Sequence, residues 1–277
     1  MGSVKKRRLD EELVAQGLFD SQDAAMRAVL AGDVSARGER LTKPGAPVAV
    51  GTALHVRAAK AGSARGKGAY VGRGGLKLEG ALTSFGIDPT GLNCLDVGCS
   101  TGGFTDCLLR FGARRVAAVD VGYGQFDWRL RGDARVALFE RTNICTADPE
   151  ALGAPFDLAV ADVSFTSVGA ILDAVCAMLG ERGRFCTLVK PQFEAERDEV
   201  AAGGVVRDPA VHERVLERVV ERLGSSPLSV RALCASPIHG AKGNIEYFML
   251  AELGAPPREV DVASVVRTAW DSGEGLL

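Results

Sequence analysis

A chain of 277 residues, 47% of them hydrophobic, has room for one large core and a smaller second one. Its net charge of −2 hides a split: residues 1–77 carry 14 Lys and Arg against 7 Asp and Glu, and the rest carry 19 against 28, so a basic head that suits a polyanion precedes an acidic body. Seven scattered cysteines without a Cys-x-x-Cys pair, a basic N-terminus without an apolar core and no long apolar run argue against a disulfide scaffold, a metal site, a secretory signal and a membrane span, and a cytoplasmic protein with free, buried thiols is expected.

In residues 9–16, Leu9, Leu13 and Val14 share one helical face, stopped by Gly17. Ser21 can cap a second helix that carries Ala24, Ala25, Ala28 and Val29 and closes at Gly32. Short extended pieces follow at Val34, Val48-Ala49-Val50 and Leu54-His55-Val56, around a turn at Lys43-Pro44-Gly45. Arg8-Leu9-Asp10 through Leu41-Thr42-Lys43-Pro44-Gly45 resembles the α-L RNA-binding motif of ribosomal proteins and pseudouridine synthases. The resemblance implies a small α+β RNA-binding domain over residues 1–60, with Arg8 and Lys43 among its RNA contacts. Gln22 stands where that motif usually has Arg after the Ser.

Residues 61–75 are small, basic and glycine-rich, a linker whose Arg65, Lys67 and Arg73 can follow a phosphate backbone. A helix then begins near Gly74, buries Leu78, Leu82 and Phe85, and ends before Gly86. Strands are predicted from Leu92 into Val97 and at Val116–Asp120, Val136–Glu140, Asp157–Asp162 and Phe185–Lys190, with helices at 168–179 and 210–223. Two further runs, Val230–Ala235 and Glu246–Ala251, suggest an edge hairpin. This alternation predicts an α/β domain over 76–253, a parallel sheet with helices on both faces. Residues 254–277, polar and containing Pro256-Pro257, are expected to be partly ordered at best.

The stretch Asn93-Cys94-Leu95-Asp96-Val97-Gly98-Cys99-Ser100-Thr101-Gly102-Gly103-Phe104 reads as strand, tight loop and helix. Its glycines let backbone approach a ligand, and the new helix presents free N–H groups to it. Gly98 is followed four residues later by Gly102-Gly103, which is not the dinucleotide spacing. A mononucleoside such as S-adenosylmethionine suits it, with Asp96, Gly98, Ser100, Thr101, Gly102 and Gly103 as binding residues and Gly98, Ser100 and Gly102 approaching the methionine part. Asp120, at the next strand end, can accept from two ribose hydroxyls, and Asn143 is an adenine neighbour.

In a doubly wound sheet, reacting groups collect at the carboxyl ends of the strands. Asp162 and Lys190 end predicted strands, Glu246 opens one, and Lys77 lies in the first turns of a helix. The four together resemble the Lys-Asp-Lys-Glu tetrad of FtsJ-like RNA ribose 2′-O-methyltransferases. Tyr70–Leu78, Asp120–Gln125, Ala161–Phe165, Val189–Glu194, Gly204–Pro209 and Ser236–Gly240 narrow the likeness to the TlyA family, often labelled haemolysin A, over about residues 7–253. That resemblance implies a Rossmann-like, seven-stranded class I methyltransferase domain that methylates the ribose 2′-hydroxyl of cytidine in ribosomal RNA, with S-adenosylmethionine as cofactor and ribosomal subunits as partners. It requires no obligate protein partner, no metal and no membrane. A ribose hydroxyl is a poor nucleophile, so the chemistry calls for Lys190 as a base or as a cation facing the developing alkoxide. Lys77 favours the neutral amine, Asp162 and Glu246 the charged one, and the sequence leaves both open.

Two other classes compete, a membrane-lytic protein and a non-catalytic assembly factor. The first lacks an apolar or strongly amphipathic basic segment, and the second leaves four charged strand-end residues without a purpose. Phe126 and Trp128 read as packing beside the sheet, the arginines at 129, 131, 135 and 141 as a solvated surface, and the three histidines as core or surface groups. Gly203-Gly204 suggests a mobile loop near Lys190.

Overall fold

The computed structural model describes residues 6–16, 18, 22–30, 34–36, 39–52, 54–56 and 69–273. Ser21, Gly17, Gly32, Arg65 and Lys67 lie outside these residues. The chain divides into compact units spanning 1–63 and 64–277.

The first unit holds β1 (Lys6–Arg8), α1 (Leu9–Ala15), α2 (Gln22–Leu30), β2 (Val34–Ala36), β3 (Glu39–Arg40), β4 (Pro47–Ala49) and β5 (His55–Val56). Leu9, Leu13, Ala25, Val29, Val34 and Leu54 form its core, so the apolar faces of both helices meet as their spacing predicts. Antiparallel pairing joins β1 to β4, and β2 to both β3 and β5. Glu12, almost fully buried, is tied to Arg7 at 2.7 Å and to the Gly51 N–H at 2.9 Å.

The second unit begins with α3 (Gly74–Phe85), which ends at Gly86 with φ 64°, the left-handed cap that glycine adopts at little cost. Then come β6 (Asn93–Val97), α4 (Gly103–Arg110), β7 (Arg115–Val119), α5 (Trp128–Arg131), β8 (Val136–Phe139), α6 (Pro149–Leu152), β9 (Phe156–Ala161), α7 (Val168–Met178), β10 (Leu179–Val189), α8 (Pro191–Glu194), α9 (Pro209–Gly224), β11 (Leu228–Ala235), β12 (Tyr247–Leu253) and α10 (Val262–Gly273). The seven strands run in the order β11-β12-β10-β9-β6-β7-β8. All neighbours from β10 to β8 are parallel, and β12 is antiparallel to both its neighbours. The expected edge pair is present, with β12 inserted between β10 and β11.

Helices cover both faces. Leu78, Leu82, Leu108 and Phe104 from α3 and α4 pack on one side. Val175, Val215, Val219 and Leu223 from α7 and α9 pack on the other. Each large side chain taken out of water there contributes about 1.5–3 kcal/mol. Within residues 254–277, Val262, Val266 and Ala269 of α10 join the second face, one helical turn apart and buried, and residues 274–277 lie outside the described residues. Likewise β10 starts at Leu179 rather than Phe185, with an irregularity between Leu179 and Arg184. Among the described residues no helix is long and apolar enough to cross a membrane, and no group of three or more His, Cys, Asp and Glu could hold a metal.

Candidate active site

The loop after β6 turns through left-handed backbone at Gly98 (φ 81°), Ser100 (φ 47°) and Gly102 (φ 93°). A Cβ at Gly98 would stand 2.8 Å from the Asp162 carbonyl oxygen, and one at Gly102 2.5 Å from Leu130 Cδ1, so both positions need glycine. Gly98 N–H donates to the Val119 carbonyl at 2.8 Å, which hangs the loop on β7. Asp120, just past β7, accepts from the Ser100 N–H on Oδ2 and from the Gly122 N–H on Oδ1, each at 2.7 Å. Each oxygen keeps a further lone pair for a hydroxyl donor. Asp96 is fully buried; its Oδ2 accepts from Thr105 Oγ1 at 2.6 Å, and its Oδ1 has no partner among the described residues. Asp120, Asp96 and Asp162 therefore occupy the carboxyl ends of three adjacent parallel strands. The Asp120 and Asp162 carboxylates fit a nucleoside that carries positive charge and free ribose hydroxyls, and Asp96 is buried in the strand between theirs.

Beside it lie two lysine–carboxylate pairs. Lys77 Nζ donates to Glu246 Oε2 at 2.5 Å, with side chains 11% and 3% exposed. Lys190 Nζ pairs with Asp162 Oδ1 at 2.5 Å, and donates to the Val163 carbonyl at 3.0 Å and to Ser164 Oγ at 2.8 Å. Val189 faces Tyr247 in the β10–β12 ladder, so the next opposed pair beyond it is Lys190 and Glu246. Opposed positions of an antiparallel pair bring their side chains about 5 Å apart on one face. The four tetrad residues are thus brought together at the carboxyl edge. Gly240 closes over Glu246: a Cβ there would overlap the Glu246 carboxylate.

Sequence patterns alone did not single out several neighbours. Phe165 is 92% exposed at φ 62°, an uncommon conformation for a bulky residue, and its ring meets Phe193 at 5.2 Å between centroids. The Phe193 ring lies 5.7 Å from Lys190 Nζ. The loop expected to be mobile is pinned: Asn244 accepts from the Val206 N–H at 3.2 Å and donates to the Gly204 carbonyl at 2.9 Å. His212, fully buried, holds the Val206 carbonyl through Nε2 at 3.1 Å. That carbonyl can only accept, so the Nε2 carries the proton and Nδ1 accepts from the Tyr247 hydroxyl at 3.0 Å.

A sequence profile described as FtsJ-like methyltransferase matches residues 70–253. The chain belongs to the FtsJ-like methyltransferase family. It is 43% identical over 249 residues to the 16S/23S rRNA (cytidine-2′-O)-methyltransferase TlyA of Mycobacterium tuberculosis, covering 89% of this chain and 90% of that one. It is 44% identical to the candidate rRNA methyltransferase YqxC of Bacillus subtilis, covering 88% and 85%. Among solved structures, a candidate hemolysin from Streptococcus thermophilus superposes with a TM-score of 0.75 at 39% identity, covering 99% of this chain and 98% of that one.

In this methyltransferase the remaining expected residues are placed as follows. Thr101 is exposed at the loop tip, and Gly103 packs so closely on residues 72–75 that a Cβ would stand 3.0 Å from the Gly75 nitrogen. Asn143 is exposed and accepts from the Cys145 N–H at 3.0 Å, capping a turn. Arg73 is exposed and donates to the His239 carbonyl at 3.1 Å. Arg8 pairs with Asp10 at 2.7 Å, and Lys43 is exposed. Two packing expectations are corrected. Phe126 is buried against Gly102, but Trp128 is 79% exposed, and Cys145 is an exposed thiol.

Burial raises Asp96 to about 7; the Thr105 hydrogen bond opposes this, and Asp162 and Asp120 add to it. An unfolded Asp titrates near 3.8, so between these values the folded state keeps a proton that the unfolded chain has lost. Stability therefore falls as pH rises from about 4 to about 7. Asp96→Asn, which mimics the protonated acid, is expected to melt at or above the parent, by a margin that widens from about pH 5 to about pH 7.5. Melting curves of the cofactor-free protein check this, and a margin that does not change with pH would contradict it.

Proposed function

We propose that this protein transfers the methyl group of S-adenosylmethionine to a ribose 2′-hydroxyl, on cytidine, of ribosomal RNA. The observation that carries the reading is the convergence of the Lys77–Glu246 and Lys190–Asp162 pairs at one sheet edge, next to the loop that follows Asp96. The TlyA relative named for this reaction supports it. When bound, the cofactor supplies an electrophilic methyl group on a sulfonium centre. Asp120 would hold its ribose, the backbone of Gly98, Ser100, Thr101, Gly102 and Gly103 its methionine part, and Asn143 would border its adenine. Asp96 is fully buried with one oxygen on Thr105, so it acts by fixing the start of α4.

Lys190 faces Asp162 and spends two further hydrogens on Val163 and Ser164. This arrangement suits an ammonium, so Lys190 serves as the cation beside the 2′-oxygen as it becomes negative. Lys77 balances Glu246, leaving two cations and two anions around the hydroxyl. Holding that hydroxyl in line accounts for several kcal/mol of the barrier, on the order expected for positioning alone. Arg8, Lys43, Arg65, Lys67 and Arg73 are the proposed phosphate contacts, and the ribosomal subunit in the cytoplasm is the proposed partner.

The name of the Streptococcus thermophilus neighbour favours one other reading, membrane lysis. Purified protein incubated with tritiated cofactor and ribosomal subunits separates the two. Label is expected in RNA, and liposomes are expected to keep their contents. Leakage without cofactor and no label in RNA would reverse the assignment. No heat on titration with cofactor would instead indicate a non-catalytic RNA-binding factor.

A further inference from the structure

The groups that hold the Lys190 ammonium are themselves on irregular backbone. Val163 and Ser164, which accept from its Nζ, belong to residues 162–167, which form no helix or strand between β9 and α7. Phe165 in this segment has a left-handed φ of 62°, a conformation that a bulky residue keeps only where its neighbours enforce it. Lys190 is therefore placed no better than this segment is. The near end of the segment is tied to the sheet, because the Asp162 N–H donates to the Val97 carbonyl at 3.0 Å. The far end runs into α7, whose first residue is preceded by Ser167, a cap position that makes no side-chain cap bond among the described residues. The first N–H of that helix, on Val168, is instead taken by Glu194 Oε1 at 2.6 Å.

Glu194 ends α8, four residues past Lys190. One short stretch, Lys190–Glu194, thus grips residues 163–168 at three levels. The Lys190 ammonium holds Val163 and Ser164, the Phe193 ring meets Phe165 at 5.2 Å between centroids, and the Glu194 carboxylate holds Val168. The third grip reaches a helix seated in the core, since Val168, Ile171 and Leu172 are buried. It also sets an anion at the positive end of the α7 dipole. Burial raises the Glu194 carboxyl above its ordinary range, and the Val168 N–H and the charge of Arg218 oppose this. A half-buried acid costs desolvation, and what this one gains is the junction between the irregular segment and α7. We infer that Glu194 is a positioning residue for methyl transfer: by holding the start of α7 it fixes residues 163–167 and, through Val163 and Ser164, the direction of the Lys190 ammonium. The inference rests on the ribose methylation proposed above and adds a residue that acts on the hydroxyl only through Lys190.

The test uses the full-length protein with ribosomal subunits and isotope-labelled cofactor, and measures single-turnover rates, the KM for subunits and calorimetric cofactor affinity. Glu194→Ala is expected to slow transfer by about 10- to 100-fold, the range for a displacement of about 1 Å at a reacting group. Its cofactor affinity and its KM for subunits are expected to stay within about twofold of the parent, because the cofactor loop follows β6 rather than β9. Glu194→Gln keeps an acceptor oxygen at the same reach and is expected to turn over within about threefold of the parent. Val168→Pro removes the donated N–H at the first helical position, which proline suits, and is expected to slow transfer as Glu194→Ala does. The two changes together are expected to cost no more than either alone, because they break the same bond. Should Glu194→Ala fail to fold, Val168→Pro carries the test. Transfer at the parent rate in Glu194→Ala or Val168→Pro, a glutamine variant as slow as the alanine one, or costs that multiply in the double variant would overturn the role of Glu194 and leave ribose methylation standing. A parent protein that labels no RNA at all overturns both.

Discussion

Lys190→Ala is expected to lower methyl transfer at saturating RNA and cofactor by at least about 10³-fold, with cofactor affinity unchanged. The side chain faces the Asp162 carboxylate at 2.5 Å, and its three contacts fix where the ammonium points. Removing it takes away positive charge where the 2′-oxygen becomes negative, and leaves the Asp162 carboxylate facing that oxygen. Asp162 is 23% exposed, so water can solvate it once its partner is gone and the fold should survive. Single-turnover rates with calorimetric cofactor affinities check this. A variant that turns over within tenfold of the parent would remove Lys190 from the mechanism.

Gly240→Ala is expected to cost about 10²-fold in turnover and to lower the melting temperature by several degrees. The added methyl group would overlap the Glu246 carboxylate, so that carboxylate must leave Lys77. Lys77 is 9% exposed and would then be a buried ammonium without its anion, a loss on the order of 3–5 kcal/mol for a buried pair. Glu246 would also leave its place opposite Lys190 at the end of the ladder. Gly224→Ala is a matched control, because a Cβ there meets nothing within 4 Å among the described residues and its backbone needs no positive φ. Kinetics and melting curves of the two variants measure the contrast. Equal behaviour would show that Gly240 does not set the position of Glu246.

The residues legible in the sequence were those whose chemistry conflicts with their surroundings. Asp120, Asp162 and Lys190 end apolar runs, where packing has no use for a charge, and the parallel sheet gathers strand ends in one place. Gly98 and Gly102 were legible because a turn from strand to helix needs left-handed backbone, which the structure has at both. The register that sets Lys190 opposite Glu246 was less accessible, since it depends on where β12 pairs along β10. The exposure of Phe165 was not legible, because it depends on a left-handed φ. The α10 helix is a different case: Val262, Val266 and Ala269 have helical spacing, but Pro256-Pro257 and the polar residues around them masked a signal only three turns long. His212 gave no hint that it pins Val206, because its two partners come from separate segments.

Alkaline hydrolysis of the labelled RNA tests the central claim most directly. A methyl group on a ribose 2′-oxygen blocks cleavage of the adjoining phosphodiester, so the account predicts that the tritium is recovered in an alkali-stable dinucleotide. Tritium recovered in mononucleotides would place the methyl group on a base and contradict the account.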